Sequence, residues 1–307
     1  MRLIFVGTSS FACPALTALS KRYEIPLVVT QPDRPVGRHA ALRPPPVKEE
    51  AFRLGLPVFQ PERINRDTSL ARLREAEPDA LVVAAYGQLL KPDVFTLAPL
   101  GTVNIHASLL PAYRGAAPVH WAIIRGEMST GITTFLIDEG MDTGDLLLKR
   151  SLDIAPNETA GDLIERLADL GASAIVETME GLQARTLIPQ PQPSEHASIA
   201  PRLSRDDGHI QWGSPAQHIH NLARGLNPWP GAWALLDDER VKVHSTLLTN
   251  IATGPISPGE IGLRETDRLL VGTGDLLIEI REIQREGRPR TSGAEFLHGL
   301  RGPAVLR

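Results

Sequence analysis

The chain has 307 residues, a formal net charge of −4, 42% hydrophobic and 22% charged residues, and a single cysteine. That length suits two domains better than one, and the composition is that of a globular protein. The acidic balance excludes a protein that coats nucleic acid through bulk positive charge, though not a local basic groove. The lone Cys13 excludes an intrachain disulfide and a cysteine-rich zinc site, and fits a reducing, cytoplasmic compartment.

In chain order, MRLIFVGTSS reads as a buried first strand and not as a secretion signal. FACPALTALS follows with helical spacing, then the strand IPLVVT from Ile25 and a Pro/Arg-rich loop, QPDRPVGRHAALRPPP. Val47 to Leu54 reads as a helix and LPVFQ, from Leu56, as a strand. A polar helix leads to ALVVAAY from Ala80, whose apolar run is too short to cross a bilayer, and GTVNIH from Gly101 is the next strand. Continuous apolar strands alternating with helices predict an α/β, Rossmann-like domain with a mainly parallel sheet. ITTFLI from Ile132 and LLLKRSLDI from Leu146 add strands of more antiparallel character, and a long amphipathic helix starts near Glu158. IPQPQPS, from Ile188 to Ser194, reads as a stiff extended linker. Short strands and Gly/Pro turns then predict a small open, OB-like β-barrel. The domains are expected at 1–188 and 205–307, with 189–204 between them.

The densest chemistry lies in NIHASLLPAYRGAAPVHWAI, from Asn104 to Ile123. Asn104 and His106 sit two apart at the end of a strand, so their side chains share a side, at the position where α/β proteins bind ligands. Further on, DEGMDTGD offers Asp142 from a glycine-rich loop that can bend closely around a ligand. An amide, an imidazole and a carboxylate suit acyl transfer to an amine: the first two donate to the developing oxyanion and the third assists proton transfer. The amine itself attacks, so no activated Ser or Cys is needed. Taken singly, Asn104 can be a turn cap, His106 is more often a core histidine and Asp142 more often a turn residue than a catalyst; only their combination with irregular loops favours chemistry. His218 and His220 fall on different helix sides, which speaks against a metal pair.

NIHASLLPAYRGAAPVHWAI together with TGITTFLIDEGMDTGDLL resembles the signature region of methionyl-tRNA formyltransferases. FVGTSSFACPAL, VVTQPDRPVGR, LPVFQP, AAYGQLL, LSRDDGHIQW, LARGLNPWPGAWALL and IQREGRPRTSGAEFLHGLRG resemble other segments of that family, so the likeness spans nearly the whole chain. The signature is also similar to folate-dependent formyltransferases acting on glycinamide ribonucleotide or amino sugars, and it fixes the chemistry better than the acceptor. NPWPGAW and the FLHG ending narrow the choice to the tRNA enzyme, with an amino-sugar nucleotide or another small amine as the alternative acceptor.

The resemblance implies transfer of a formyl group from 10-formyltetrahydrofolate to the α-amino group of initiator methionyl-tRNA, without a metal, by a cytoplasmic monomer. It implies Asn104, His106 and Asp142 as the catalytic set. It implies folate contacts at Ser108, Leu109, Leu110 and Pro111 and at Tyr86, Gly87, Gln88 and Leu89. It places tRNA on Arg38 and Arg43, and basic residues of the C-terminal domain add Lys242, Arg281, Arg285 and Arg288 as candidate phosphate contacts. Family loops usually carry a glycine and a lysine pair after the arginine matched by Arg38. Here the stretch from Gly37 to Arg43 contains no lysine.

Overall fold

A computed structural model describes residues 1–36, 41–262, 267–300 and 302–307. The chain forms two compact units: Met1–Gly115, Thr130–Leu152 and Ile164–Ile199 in one, Ala116–Ser129, Asp153–Leu163 and Ala200–Arg307 in the other. In order come β1 (Arg2–Gly7), α1 (Cys13–Ser20), β2 (Glu24–Val29), β3 (Arg34–Val36), β4 (Ala41–Arg43), α2 (Pro46–Arg53), β5 (Val58–Phe59), α3 (Asp67–Glu75), β6 (Ala80–Ala84), α4 (Pro92–Phe95) and β7 (Thr102–His106). β8 (Arg114–Gly115), α5 (Pro118–Ile124), β9 (Ser129–Leu136), β10 (Leu146–Asp153), α6 (Ala160–Gln183), β11 (Ile199–Ala200) and α7 (Ala216–Gly225) follow. The last elements are β12 (Ala232–Leu236), β13 (Glu239–Ala252), β14 (Ile261–Gly262), β15 (Leu269–Gly272), β16 (Leu276–Arg285), β17 (Thr291–Ser292) and α8 (Gly293–His298).

The first unit is built on a seven-stranded sheet of order β10-β9-β7-β6-β1-β2-β5. β7, β6, β1, β2 and β5 run parallel, and β9 joins β7 antiparallel. β1 forms because Leu3, Ile4, Phe5 and Val6 bury completely on both sheet faces, the pattern that covered parallel strands require. Ile4, Val6, Leu81 and Val83 share a core with Ile64, Leu70 and Leu73 on one face. On the other, α6 comes down so closely that a Cβ on Gly171 would lie 3.1 Å from Ile105 Cγ2, and Thr134 Oγ1 meets Thr178 Oγ1 at 2.8 Å. Residue alternation then turns Asn104 and His106 away from α6. The chain leaves β1 for β2 on one side and returns to β6 on the other, so the direction of winding switches between β1 and β6, where open α/β sheets bind ligands.

The Pro/Arg-rich stretch after β2, read as a loop from sequence, is an antiparallel hairpin of β3 and β4 that pairs Arg34 with Arg43. Arg38 lies outside the described residues.

The second unit is an antiparallel half-barrel of order β12-β13-β16-β15-β14, with β17 on β16. Register shifts in the β13–β16 pairing bend it, and Leu235 and Ile261, on the two edge strands, each bond the C-terminal segment 304–307. Ile210, Trp212, Ile219, Val241, Val243, Ile278 and Ile280 fill the inside together with Ala117 and Ile124 from the α5 segment. The half-barrel also buries Glu279, whose carboxylate accepts from Arg268 Nε (2.7 Å) and Arg281 Nη1 (2.8 Å). Burial pushes this carboxyl up, but the two guanidiniums outweigh it and hold it below the usual glutamate range. His220 is buried in α7 and bonded through both ring nitrogens, to Thr246 Oγ1 (2.9 Å) and the Pro156 carbonyl (3.2 Å), whereas His218 is exposed. Among the described residues no cluster of His, Cys, Asp or Glu forms a metal site, and no helix is long and apolar enough to cross a membrane.

Candidate active site

β7 delivers Asn104 and His106 to the same side of the sheet, opposite Phe135 and Thr133 of β9. His106 is buried, and its ring meets Phe135 edge-on at 6.4 Å. Its Nε2 lies 2.9 Å from the Tyr113 carbonyl. A carbonyl can only accept, so Nε2 carries the hydrogen and Nδ1 is left facing Asp142. Asp142 Oδ2 is 3.6 Å from Nδ1, longer than a hydrogen bond but within charge contact. The same oxygen accepts from the Gly115 N–H at 2.8 Å. Asn104 is half-buried, and among the described residues its amide has no hydrogen-bond partner. The site therefore presents one uncommitted amide beside an imidazole–carboxylate pair.

The loops explain the placement. Asp142 sits at φ 55°, a conformation a non-glycine residue adopts only when its surroundings hold it. Asp138 Oδ1 caps the turn by accepting from Gly140 N–H (3.1 Å) and Thr143 Oγ1 (2.7 Å). A Cβ at Gly144 would meet the Leu136 carbonyl oxygen at 1.7 Å, so only glycine lets the DTGD loop close against β9. In SLLP, Thr133 Oγ1 donates to the Ser108 carbonyl (2.7 Å) and accepts from Leu110 N–H (3.0 Å). Ser108 Oγ donates to the Ala112 carbonyl at 2.6 Å. Ser108, Leu110 and Pro111 are thus buried and hold the loop's shape, and Leu109 is its half-buried face.

At the switch between β1 and β6, the Tyr86 carbonyl accepts from Thr8 Oγ1 (2.9 Å) and Gln31 Nε2 (3.3 Å). Tyr86 is buried, Gly87 turns at φ 88°, and Leu89 is 82% exposed. The Gln88 side chain is spent on the backbone of Ile64 and Glu62 at 3.1 Å each. The single cysteine offers no rival nucleophile: burial first, then Glu50 and Glu49, push the Cys13 thiol up to about 11, so it stays protonated at neutral pH.

The basic residues separate into two groups. Arg281 is tied to Glu279 (2.8 Å), and Arg285 to Glu239 (3.1 Å) with Phe296 beneath it. Lys242 and Arg288 are exposed with no carboxylate partner among the described residues, and so is Arg43. Trp233 stacks on His209 at 4.3 Å and lies under the Arg240 guanidinium, whereas Trp229 is 53% exposed.

Sequence reasoning missed Gln192. Its Nε2 donates to the carbonyls of Asp142 (2.9 Å) and Gly144 (2.8 Å), and its Oε1 accepts from Arg114 Nε (3.1 Å) and Nη2 (2.7 Å). No local pattern flags a glutamine between prolines, and its partners lie 50 and 78 residues away.

A family model described as formyl transferase matches residues 1–179, and a second, formyl transferase C-terminal domain, matches residues 202–301. The chain is 46% identical over 302 residues to a methionyl-tRNA formyltransferase of Geobacter metallireducens, covering 98% of this chain and 96% of that protein. Among solved structures, it superimposes on an N-formyltransferase of Helicobacter canadensis in complex with folinic acid and dTDP-3-aminofucose. That match has a TM-score of 0.68 and 19% identity, and covers 92% of this chain and 98% of the other. It also superimposes on a methionyl-tRNA formyltransferase from Clostridium thermocellum with a TM-score of 0.57 and 18% identity, covering 81% and 94% of the two chains. The structural likenesses speak for the fold, and the sequence identity across almost the full length of a relative speaks for the branch: the chain belongs to the formyl transferase family, among the methionyl-tRNA formyltransferases.

Proposed function

We propose that the protein transfers the formyl group of 10-formyltetrahydrofolate to the α-amino group of methionyl-initiator tRNA, with the chemistry at Asn104, His106 and Asp142. The uncommitted Asn104 amide beside the His106–Asp142 pair carries this reading. The folate co-substrate supplies the formyl carbon and departs as tetrahydrofolate. The residues at hand fit it: the half-buried Leu109 and the exposed Leu89 offer apolar faces for a flat ring. As the amine nitrogen bonds to the formyl carbon, negative charge gathers on the formyl oxygen, and the Asn104 N–H donates to it. The amine loses a proton to the Asp142 carboxylate, directly or through water, and that proton passes on to the folate nitrogen as its bond to the formyl carbon breaks, which restores the carboxylate. His106 Nδ1 faces that carboxylate at 3.6 Å and holds it once this nitrogen is protonated; to donate to the oxyanion, the ring has to exchange its Nε2 bond to Tyr113.

We read residues 1–188 as the catalytic domain, 189–204 as the connection and 205–307 as the tRNA-holding domain, in a cytoplasmic monomer. The discriminating assay offers the formyl donor with charged initiator tRNA and, separately, with amino-sugar nucleotides. Formylation of the tRNA is the expected result; product from the sugar alone sinks the reading.

The two groups of basic residues should behave differently. Lys242→Ala or Arg288→Ala raises KM for methionyl-tRNA and cuts the log–log salt slope of tRNA affinity by about 1 per residue, since each free cation releases about one counterion. Arg281→Ala has a smaller effect on that slope, because Glu279 already neutralises it. Equal slopes across these variants overturn the assignment.

A further inference from the structure

The proline-rich segment is expected to be a spacer, yet residues 190–198 bond to Leu146, to the Asp142–Gly144 turn and to residues 111–114, on both sides of the His106–Asp142 pair. Gln190 exchanges both backbone bonds with Leu146 (2.8 and 2.9 Å) at the start of β10. Ser198 accepts from Tyr113 N–H through its hydroxyl (2.9 Å) and from Arg114 N–H through its carbonyl (2.8 Å). Between them, Gln192 uses both amide hydrogens and both lone pairs of its oxygen. The orientation of its amide is fixed by its partners, because the carbonyls of Asp142 and Gly144 only accept and the Arg114 guanidinium only donates.

Those four bonds join two segments that have to stay in register. One carries Asp142, held at φ 55°; the other carries Gly115, next to Arg114, whose N–H grips Asp142 Oδ2 at 2.8 Å. Gln192 braces both backbones from outside the Asp142–Gly115 bond, so it sets how far the Asp142 carboxylate stands from Gly115 and from His106 Nδ1. We propose that Gln192 is a positioning residue for formyl transfer, which makes the segment before the C-terminal unit a working part of the active site. This rests on the catalytic assignment of Asp142 made above. Gln192 itself touches no reacting atom; it acts through the Asp142 loop and does not contribute to binding either substrate.

The test uses the full-length protein in a formylation assay with charged initiator tRNA. Gln192→Ala lowers kcat on the order of ten- to a hundredfold, the loss that follows when a reacting group moves by about 1 Å, and leaves KM for both substrates within about twofold. Gln192→Glu keeps the acceptor for Arg114 but sets a carboxylate against two carbonyls, so it folds and loses at least as much kcat as the alanine variant. In an Asp142→Ala background, Gln192→Ala changes kcat by less than about threefold, since residues that act as one unit are non-additive. A full Gln192 effect in both backgrounds, an active Gln192→Glu, or a loss confined to KM overturns the proposal. The Asp142→Ala rate alone reads the catalytic assignment: full activity there removes that assignment, whatever Gln192 does.

Discussion

The Asn104→Ala variant loses kcat on the order of 10²- to 10³-fold, the usual cost of deleting one oxyanion donor, and keeps its KM for folate and tRNA. The separation follows from geometry. Asn104 is half-buried and its side chain has no hydrogen-bond partner among the described residues, so its removal leaves no orphaned group there and opens no core cavity. In the proposed mechanism its hydrogen bond forms only as charge develops on the formyl oxygen, and an interaction made only in the transition state appears in kcat. Thermal unfolding should move by less than about 0.5 kcal/mol, as for a substitution away from buried structure. Steady-state kinetics with each substrate varied in turn decides the matter: near-normal turnover removes Asn104 from the mechanism.

Asp142→Asn is expected to cost on the order of 10²- to 10⁴-fold in kcat, the range for losing a proton acceptor in the transition state. The amide oxygen of asparagine can still accept from Gly115 N–H, so the loop keeps its anchor at the position now bonded at 2.8 Å. What vanishes is the negative charge 3.6 Å from His106 Nδ1 and the basic oxygen facing the amine. Binding of both substrates, measured by equilibrium titration, stays close to wild type. An Asp142→Asn protein that turns over normally assigns the proton to another group.

The parts of this site that were legible in the sequence are those written into short-range pattern. The alternation in TVNIH puts Asn104 and His106 on one side of a strand whatever the rest of the chain does. The glycines of DEGMDTGD announce a close turn, and Gly144 sits where a side chain would strike β9. The long-range contacts were not legible. The β3–β4 hairpin hides among prolines that read as a loop, and α5 hides inside the signature segment, where PVHWAI is too short to show a period. The arginines of β16 looked like one basic cluster, because only folding shows that Glu279 and Glu239 already hold Arg281 and Arg285. Gln192 was invisible for the same reason: its meaning lies in two other segments, at Asp142–Gly144 and Arg114.

The interleaving of the two units bears on how this protein can be rebuilt. The chain passes between them at 115/116, 129/130, 152/153, 163/164 and 199/200, and Ala117 and Ile124 lie in the core of the half-barrel's unit. Recombination at the proline-rich segment alone would hand a new C-terminal half an α5 shaped for the old one, leaving Ile124 without its packing partners and a cavity where it belongs. Chimeras that change the half-barrel therefore have to carry residues 116–129 and 153–163 with it, so this enzyme exchanges modules as interlocked sets of segments and not as beads on a string.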